Sequence, residues 1–283
     1  MPGEAAAAST SWFFGCHACG KCCNSAPRLL LPELFHHQAR FVGCLGIRRL
    51  GFDAELFTHA FAFAAAGACP ALGGDGRCAI QADRKPLVCS IVPLDATLPD
   101  EQQHAVLAMR QTEARFWGAD CIRPQPATGF RELTRHLRVV DSGALALLTE
   151  QRRQQAAEQL YWGREVARLF GPELLDHPQR VRALPNQGAL TVSITPVLSV
   201  VAETSSRCRE RVADYVSAQT DLMHALIRDA LARRRAADRA ETALLRRLLQ
   251  TALAFADELA QRRPPVRIAA AEHAVALEAW LEL

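Results

Sequence analysis

The stretch Phe13-Phe14-Gly15-Cys16-His17-Ala18-Cys19-Gly20-Lys21-Cys22-Cys23 places four thiols within eight residues. Cys16, Cys19 and Cys22 are three apart, a spacing at which a glycine-assisted loop turns successive thiolates toward one point, as in zinc knuckles and ferredoxin-type loops. Cys23 adds a fourth sulfur, and because adjacent side chains point apart, Cys22 and Cys23 are not expected to serve one metal side by side; one of the two faces a second site. Gly15 and Gly20 supply the backbone freedom, and N–H groups around Gly20 and Lys21 are placed to donate to sulfur.

Three further thiols sit in turn-forming sequence: Cys69-Pro70, Gly73-Gly74-Asp75-Gly76-Arg77-Cys78 and Arg84-Lys85-Pro86-Leu87-Val88-Cys89. An eighth follows in Gly118-Ala119-Asp120-Cys121. Together these residues resemble the cysteine-cluster family named for its C-x-x-C-x-x-C-C signature, whose members are described as zinc- or iron-chelating. The resemblance covers about the first 125 residues and implies that Cys16, Cys19, Cys22, Cys23, Cys69, Cys78, Cys89 and Cys121 are metal ligands. Two departures stand out. Lys85 separates Arg84 from Pro86 where the family has Arg-Pro, and Ile122 follows Cys121 where a Cys-Pro-Gly is common. Flagellin lysine-N-methylases are similar at greater distance, which implies a protein lysine N-methyltransferase using S-adenosylmethionine as the alternative function.

Eight thiols make two sets of four. Zinc would close two tetrahedral sites, whereas an iron-sulfur cluster would take three cysteines of the loop and a remote fourth. Thiolate softness suits both. Zinc sites usually pair two C-x-x-C arms, and the second arm is missing here, so the arrangement favours an iron-sulfur cluster. Metal coordination is expected to hold residues 67–90 in shape, because that stretch is rich in glycine and proline and poor in periodic apolar positions. The two other cysteines, Cys44 and Cys208, fall outside the motif and read as small buried hydrophobes.

The histidines carry less. His17 reads as a donor to a thiolate or an exposed side chain, and His36 and His37 as a surface helix turn. No histidine pair has the spacing, with a glutamate, of a metalloprotease helix. Gly73, Gly74 and Gly76 read as a turn, since no lysine-serine pair or strand-to-helix context makes them a phosphate cradle. A methyltransferase would need a glycine-rich strand–turn–helix followed by an acid, and none is found.

The rest of the chain must position the cysteines. With 283 residues, one large or two modest domains are possible, and 49% hydrophobic content excludes general disorder. A net charge of +3 provides no global field for nucleic acid or a membrane surface. There is no basic n-region before Cys16 and no apolar run long enough for a membrane span, so a cytoplasmic protein is expected, and reducing conditions there favour metal ligation over disulfides.

The fold expected is mainly α with irregular loops. Residues 1–125 form the cysteine-cluster domain, and residues 142–283 a mostly helical one with at most a short β element. Trp12, Phe13 and Phe14 anchor the first loop to the core. Only brief elements are expected from Leu29 to Leu56. Asp53 is read as capping a helix through Phe57 and Phe61 to Gly67. An amphipathic helix follows Pro99, with Val106, Arg110, Ala114 and Trp117 on one face. Leu145 to Phe170 is helical with a soft spot at Gly163, and Leu190 to Val201 is strand-like but split by Pro196. Residues 206–263 divide into two helices near Ala236–Arg239, and a short helix ends near Trp280. The Arg233-Arg234-Arg235 run reads as a solvated face, because Asp229, Asp238 and Glu241 interrupt the charge.

Three function classes follow: a metal-dependent redox or binding protein, the methyltransferase, and a structural zinc module whose helical half binds a protein partner.

Overall fold

The computed structural model describes residues 10–17, 20–23, 27–63, 69–112, 119–186, 188–261 and 271–282. The strands are β1 (Ser11–Phe14), β2 (Gly43–Leu50), β3 (Asp53–Ala60), β4 (Ile122–Arg123), β5 (Arg131–Arg135), β6 (Arg138–Val139) and β7 (Leu190–Ser193). The helices are α1 (Leu31–His36), α2 (Leu87–Ser90), α3 (Gln103–Thr112), α4 (Ser142–Glu158), α5 (Arg164–Phe170), α6 (Pro178–Ala183), α7 (Thr195–Ala202), α8 (Ser206–Arg233), α9 (Arg239–Gln261) and α10 (Ala271–Trp280). Helix dominates, as the sequence leads one to expect, and the strands make two small sheets ordered β4-β1-β5-β6 and β3-β2-β7. The chain divides into two compact units, Met1–Ser25 with Ala71–Gln154, and Ala26–Pro70 with Gln155–Leu283.

In the first unit, Trp12 points from β1 into a core with Ile91, Leu94, Leu107, Ile122, Leu133, Ala144 and Leu148. Trp12, with Phe14 packed against the same cluster, therefore anchors the loop. The irregular stretch from 93 to 100 is held by three side chains. Gln103 is fully buried; its Oε1 accepts from Asp95 N at 2.8 Å, and its Nε2 donates to the carbonyls of Asp95 at 2.7 Å and Leu98 at 2.9 Å. Arg110 donates to the carbonyls of Pro93 and Leu94, and Arg152 from α4 to those of Ala96 and Leu98. Val106 and Arg110 are both buried on α3; the expected continuation through Ala114 and Trp117 lies outside the described residues. Gln103→Ala would strand buried donors and acceptors at once, at a cost of about 2–3 kcal/mol. Hydrogen exchange checks this: protection should fall across residues 91–107 and stay unchanged in α8 and α9.

The second unit corrects one expectation. Asp53 opens β3 instead of capping a helix, and β2 and β3 form an eight-residue hairpin closed by Gly51-Phe52, with Leu50 opposite Asp53. Gly51 has φ of +64°, the left-handed value a two-residue hairpin turn requires. Phe57 and Phe61 are four apart, which mimics a helix face, but pairing with β2 satisfies the backbone and buries Leu56, Phe57 and Thr58. The expected end at Gly67 lies outside the described residues. Pro196 does split the strand-like stretch, ending β7 and lying in the first turn of α7. Gly163 ends a π-helical turn between α4 and α5; a Cβ there would lie 2.5 Å from Gln159 Oε1, whose amide donates to Leu56 O. The helices α8 and α9 break at the expected turn, Ala236–Asp238, and their inner faces join Val42, Cys44, Phe61 and Phe63 in the core.

Candidate metal centre

The sheet of the first unit delivers the cysteine loop. The strand β1 ends at Phe14, and Gly15 N donates to Cys121 O at 3.0 Å, just where the antiparallel β4 begins. Cys16 and Cys121 therefore leave the same end of neighbouring strands. A Cβ on Gly15 would lie 2.9 Å from Gly129 O, so the approach tolerates no side chain. Cys16 and His17 are exposed, and His17 packs edge-on to Phe130 at 5.4 Å between centroids, so it is an exposed ring against an aromatic face.

Past the loop, Gly20 has φ of +68°, and Cys23 N donates to Gly20 O at 2.9 Å. A Cβ on Gly20 would stand 2.6 Å from Gly76 O and 2.8 Å from Leu72 Cδ1. The loop thus rests directly on the 72–78 segment. That segment is a closed turn: Leu72 bridges Cys78, Gly73 N donates to Arg77 O at 2.8 Å, and Asp75 Oδ1 accepts from Arg77 N at 3.0 Å. Its glycines make the turn, and the N–H groups of Gly73 and Gly76 are spent inside it, on Arg77 O and Gly73 O. Cys89 lies on the four-residue α2, entered through Pro86, and its N–H donates to Pro86 O.

Electrostatics ties the same pieces together. The Cys22 thiol is pushed down to about 6, chiefly because the Cys23 thiol donates to its sulfur, with the Lys85 ammonium adding to the effect and desolvation opposing it. A thiol in that condition is largely thiolate at neutral pH, the form that binds metal. Lys85, the residue that interrupts the Arg-Pro pattern, is the one sequence reasoning passed over. A signal existed: of the only two lysines, Lys21 adjoins Cys22 and Lys85 lies four residues before Cys89.

The segments bearing Cys16, Cys22, Cys23, Cys78, Cys89 and Cys121 belong to one unit, and the Gly20 turn rests on the segment that ends at Cys78. Cys19 lies outside the described residues. Among those six described cysteines, no three sulfurs fall within 4.8 Å of one another. Cys69 is buried and belongs to the second unit, just before the chain enters the first at Ala71. Cys44 and Cys208 are structural, as expected: Cys44 sits in the core with its thiol pushed up to about 12 by burial, and Cys208, raised by burial too, follows the Ser205 cap of α8. His36 is exposed on α1, whereas His37 caps that helix as a buried residue, its ring 5.9 Å from Phe41.

The candidate donors are all soft sulfur, the Cys22 thiol is pushed down by its neighbours, and the Gly20 turn rests on the 72–78 segment. This fits a thiophilic metal. Residues 15–112 match the CxxCxxCC family. Its description is "Putative zinc- or iron-chelating domain", and the match takes in seven of the eight candidate ligands, all but Cys121. Neither the curated proteins nor the solved structures contain a match to the chain. Among the described residues, no helix is long and apolar enough to cross a membrane.

Proposed function

We propose that the CxxCxxCC domain holds an iron-sulfur cluster through Cys16, Cys19 and Cys22, with Cys78 or Cys89 as the remote fourth ligand, and that the protein has a redox or metal-dependent binding role in the cytoplasm. The observation that carries this reading is the contact between the Gly20 turn and Gly76, which brings the 72–78 turn onto the loop. A cluster would supply one-electron chemistry at its thiolate-ligated irons. The chain's own part is to keep Cys22 deprotonated through Cys23 and Lys85, to orient the loop by its strand β1 root, and to leave Cys16 and Cys22 accessible for loading.

Anaerobic purification followed by iron, zinc and acid-labile sulfide determination tests the proposal. A brown protein with visible charge-transfer absorption is expected, bleached in Cys19→Ala and in one of Cys78→Ser or Cys89→Ser, and retained in Cys208→Ser. A colourless protein with stoichiometric zinc and no sulfide would overturn the cluster while leaving a cysteine metal site.

A further inference from the structure

The turn joining α8 to α9 carries Arg233, Arg234 and Arg235, and the packing there separates their roles. Arg233 is consumed internally. Its guanidinium donates to Asp238 Oδ2 at 2.9 Å and stacks over Phe63 at 5.1 Å, and the Asp238 carboxylate is nearly fully buried, at 4% exposure. Asp238 was one of the acids expected to cancel the arginine run, but its charge is spent on Arg233. What remains is a cleft of about 350 Å³ lined by Arg234, Arg235, Arg239 and Arg246, with Thr242 and Leu231 beside them. All four arginines are exposed, and Asp238 is the only acid in the lining.

Two further features point the same way. Arg234 closes α8 in the left-handed conformation, φ 53°, so the chain turns sharply and α9 begins beside the end of α8. The start of α9, a helix of 23 residues, contributes Arg239, Thr242, Ala243 and Arg246 to the lining, so one rigid element fixes two of the four guanidinium groups. The volume lies in the range of small-ligand sites. The lining contains no aromatic side chain on which bases could stack, and the basic residues gather at one turn instead of forming a stripe, which favours a compact anion over a nucleic-acid strand.

We propose that this cleft is a binding site for a ligand with adjacent phosphates, a di- or triphosphate group held by paired guanidinium forks. Planar arginine suits bidentate phosphate recognition better than lysine, and four such groups offset the charge of a triphosphate. The site is independent of the cysteine centre, so either can fail alone.

Titration calorimetry of the full chain with sodium tripolyphosphate, at low and at physiological ionic strength, tests it. One saturable site per chain is expected, weakened by salt, with orthophosphate binding at least about tenfold more weakly because fewer forks engage. Arg235→Gln/Arg239→Gln and, separately, Arg234→Gln/Arg246→Gln should each weaken binding by about thirtyfold or more. Arg164→Gln/Arg182→Gln removes the same charge elsewhere in the unit and should change binding less than twofold. A nucleoside triphosphate binding more tightly than tripolyphosphate would identify a nucleotide as the source of the phosphates, and equal binding would identify the phosphate chain alone; both support the site. Absence of saturable binding, equal losses in the control variant, or a single-stranded RNA that outcompetes tripolyphosphate at matched charge would each overturn the proposal. Circular dichroism and metal content should be unchanged in all three double variants, since these side chains are exposed and remote in sequence from every candidate ligand.

Discussion

Gly20→Ala should lower metal retention by about a hundredfold while the second unit stays folded. A side chain at a left-handed φ costs on the order of 1–2 kcal/mol. Here the added Cβ would also lie 2.6 Å from the Gly76 carbonyl, a backbone atom that moves only if the 72–78 turn moves with it. The sum is roughly 3 kcal/mol, taken from the arrangement that gathers the thiols. Competition with a chromophoric chelator, together with far-ultraviolet circular dichroism of the helices, reads both halves of the statement. Gly74→Ala is the matched control: Gly74 has no positive φ, nothing stands within 4 Å of the added atom, and retention should not change. Equal retention in Gly20→Ala and the parent would mean that the turn does not shape the site.

The second large effect concerns Glu158 in the helical unit. Its Oε1 accepts from Leu31 N at 2.9 Å and lies 2.9 Å from Thr58 Oγ1, whose own proton has a nearer acceptor in Leu29 O at 2.6 Å. Burial raises the Glu158 carboxyl to about 7, against the pull of the Leu31 N–H and the Arg28 charge. A carboxyl with a raised folded pKa holds its proton longer in the native state than in the unfolded chain. Its contribution is therefore full below about 4.5 and is lost as pH rises to about 7, after which it stays constant. The loss is roughly 3 kcal/mol. His59, lowered by burial, works in the opposite sense, since the neutral ring is favoured and stability gained as pH rises through its range. Comparing the parent with Glu158→Gln cancels the histidine. Urea denaturation between pH 5 and 8 should show the parent losing stability relative to this variant, and parallel curves would contradict the assignment. Glu158→Ala should cost about 2–4 kcal/mol at pH 5, where the parent is protonated, because Leu31 N loses its buried acceptor and a cavity remains.

What the sequence made legible was local. The three-residue spacing of Cys16, Cys19 and Cys22 marked the loop, and the long apolar-patterned stretch from 206 to 261 marked two helices with their break at Ala236–Asp238. The division near Pro196 was legible because proline acts on its own neighbours. Elements whose state depends on distant partners were not. Asp53–Ala60 contains residues spaced as on a helix, and only the eight-residue ladder to β2 makes it a strand. Glu158 looked like one more acid on a helix; its significance lies in Leu31 and Thr58, far away in sequence. Lys85 shows the same limit, because its bearing on Cys22 depends on a fold that brings the two segments together.

The strand order β3-β2-β7 has a consequence for synthesis. A chain emerging from the ribosome can close the β2–β3 hairpin at once, but the other edge of β2, Cys44 to Ile47, waits for Leu190–Ser193. In the finished protein those edge residues are fully buried or nearly so. Throughout the translation of everything between, the nascent chain carries an open apolar β edge of the kind that recruits other chains. A ribosome that stalls before Leu190 would release a product with that edge uncovered, a substrate for holding chaperones or for aggregation, whatever has by then been loaded onto the cysteines.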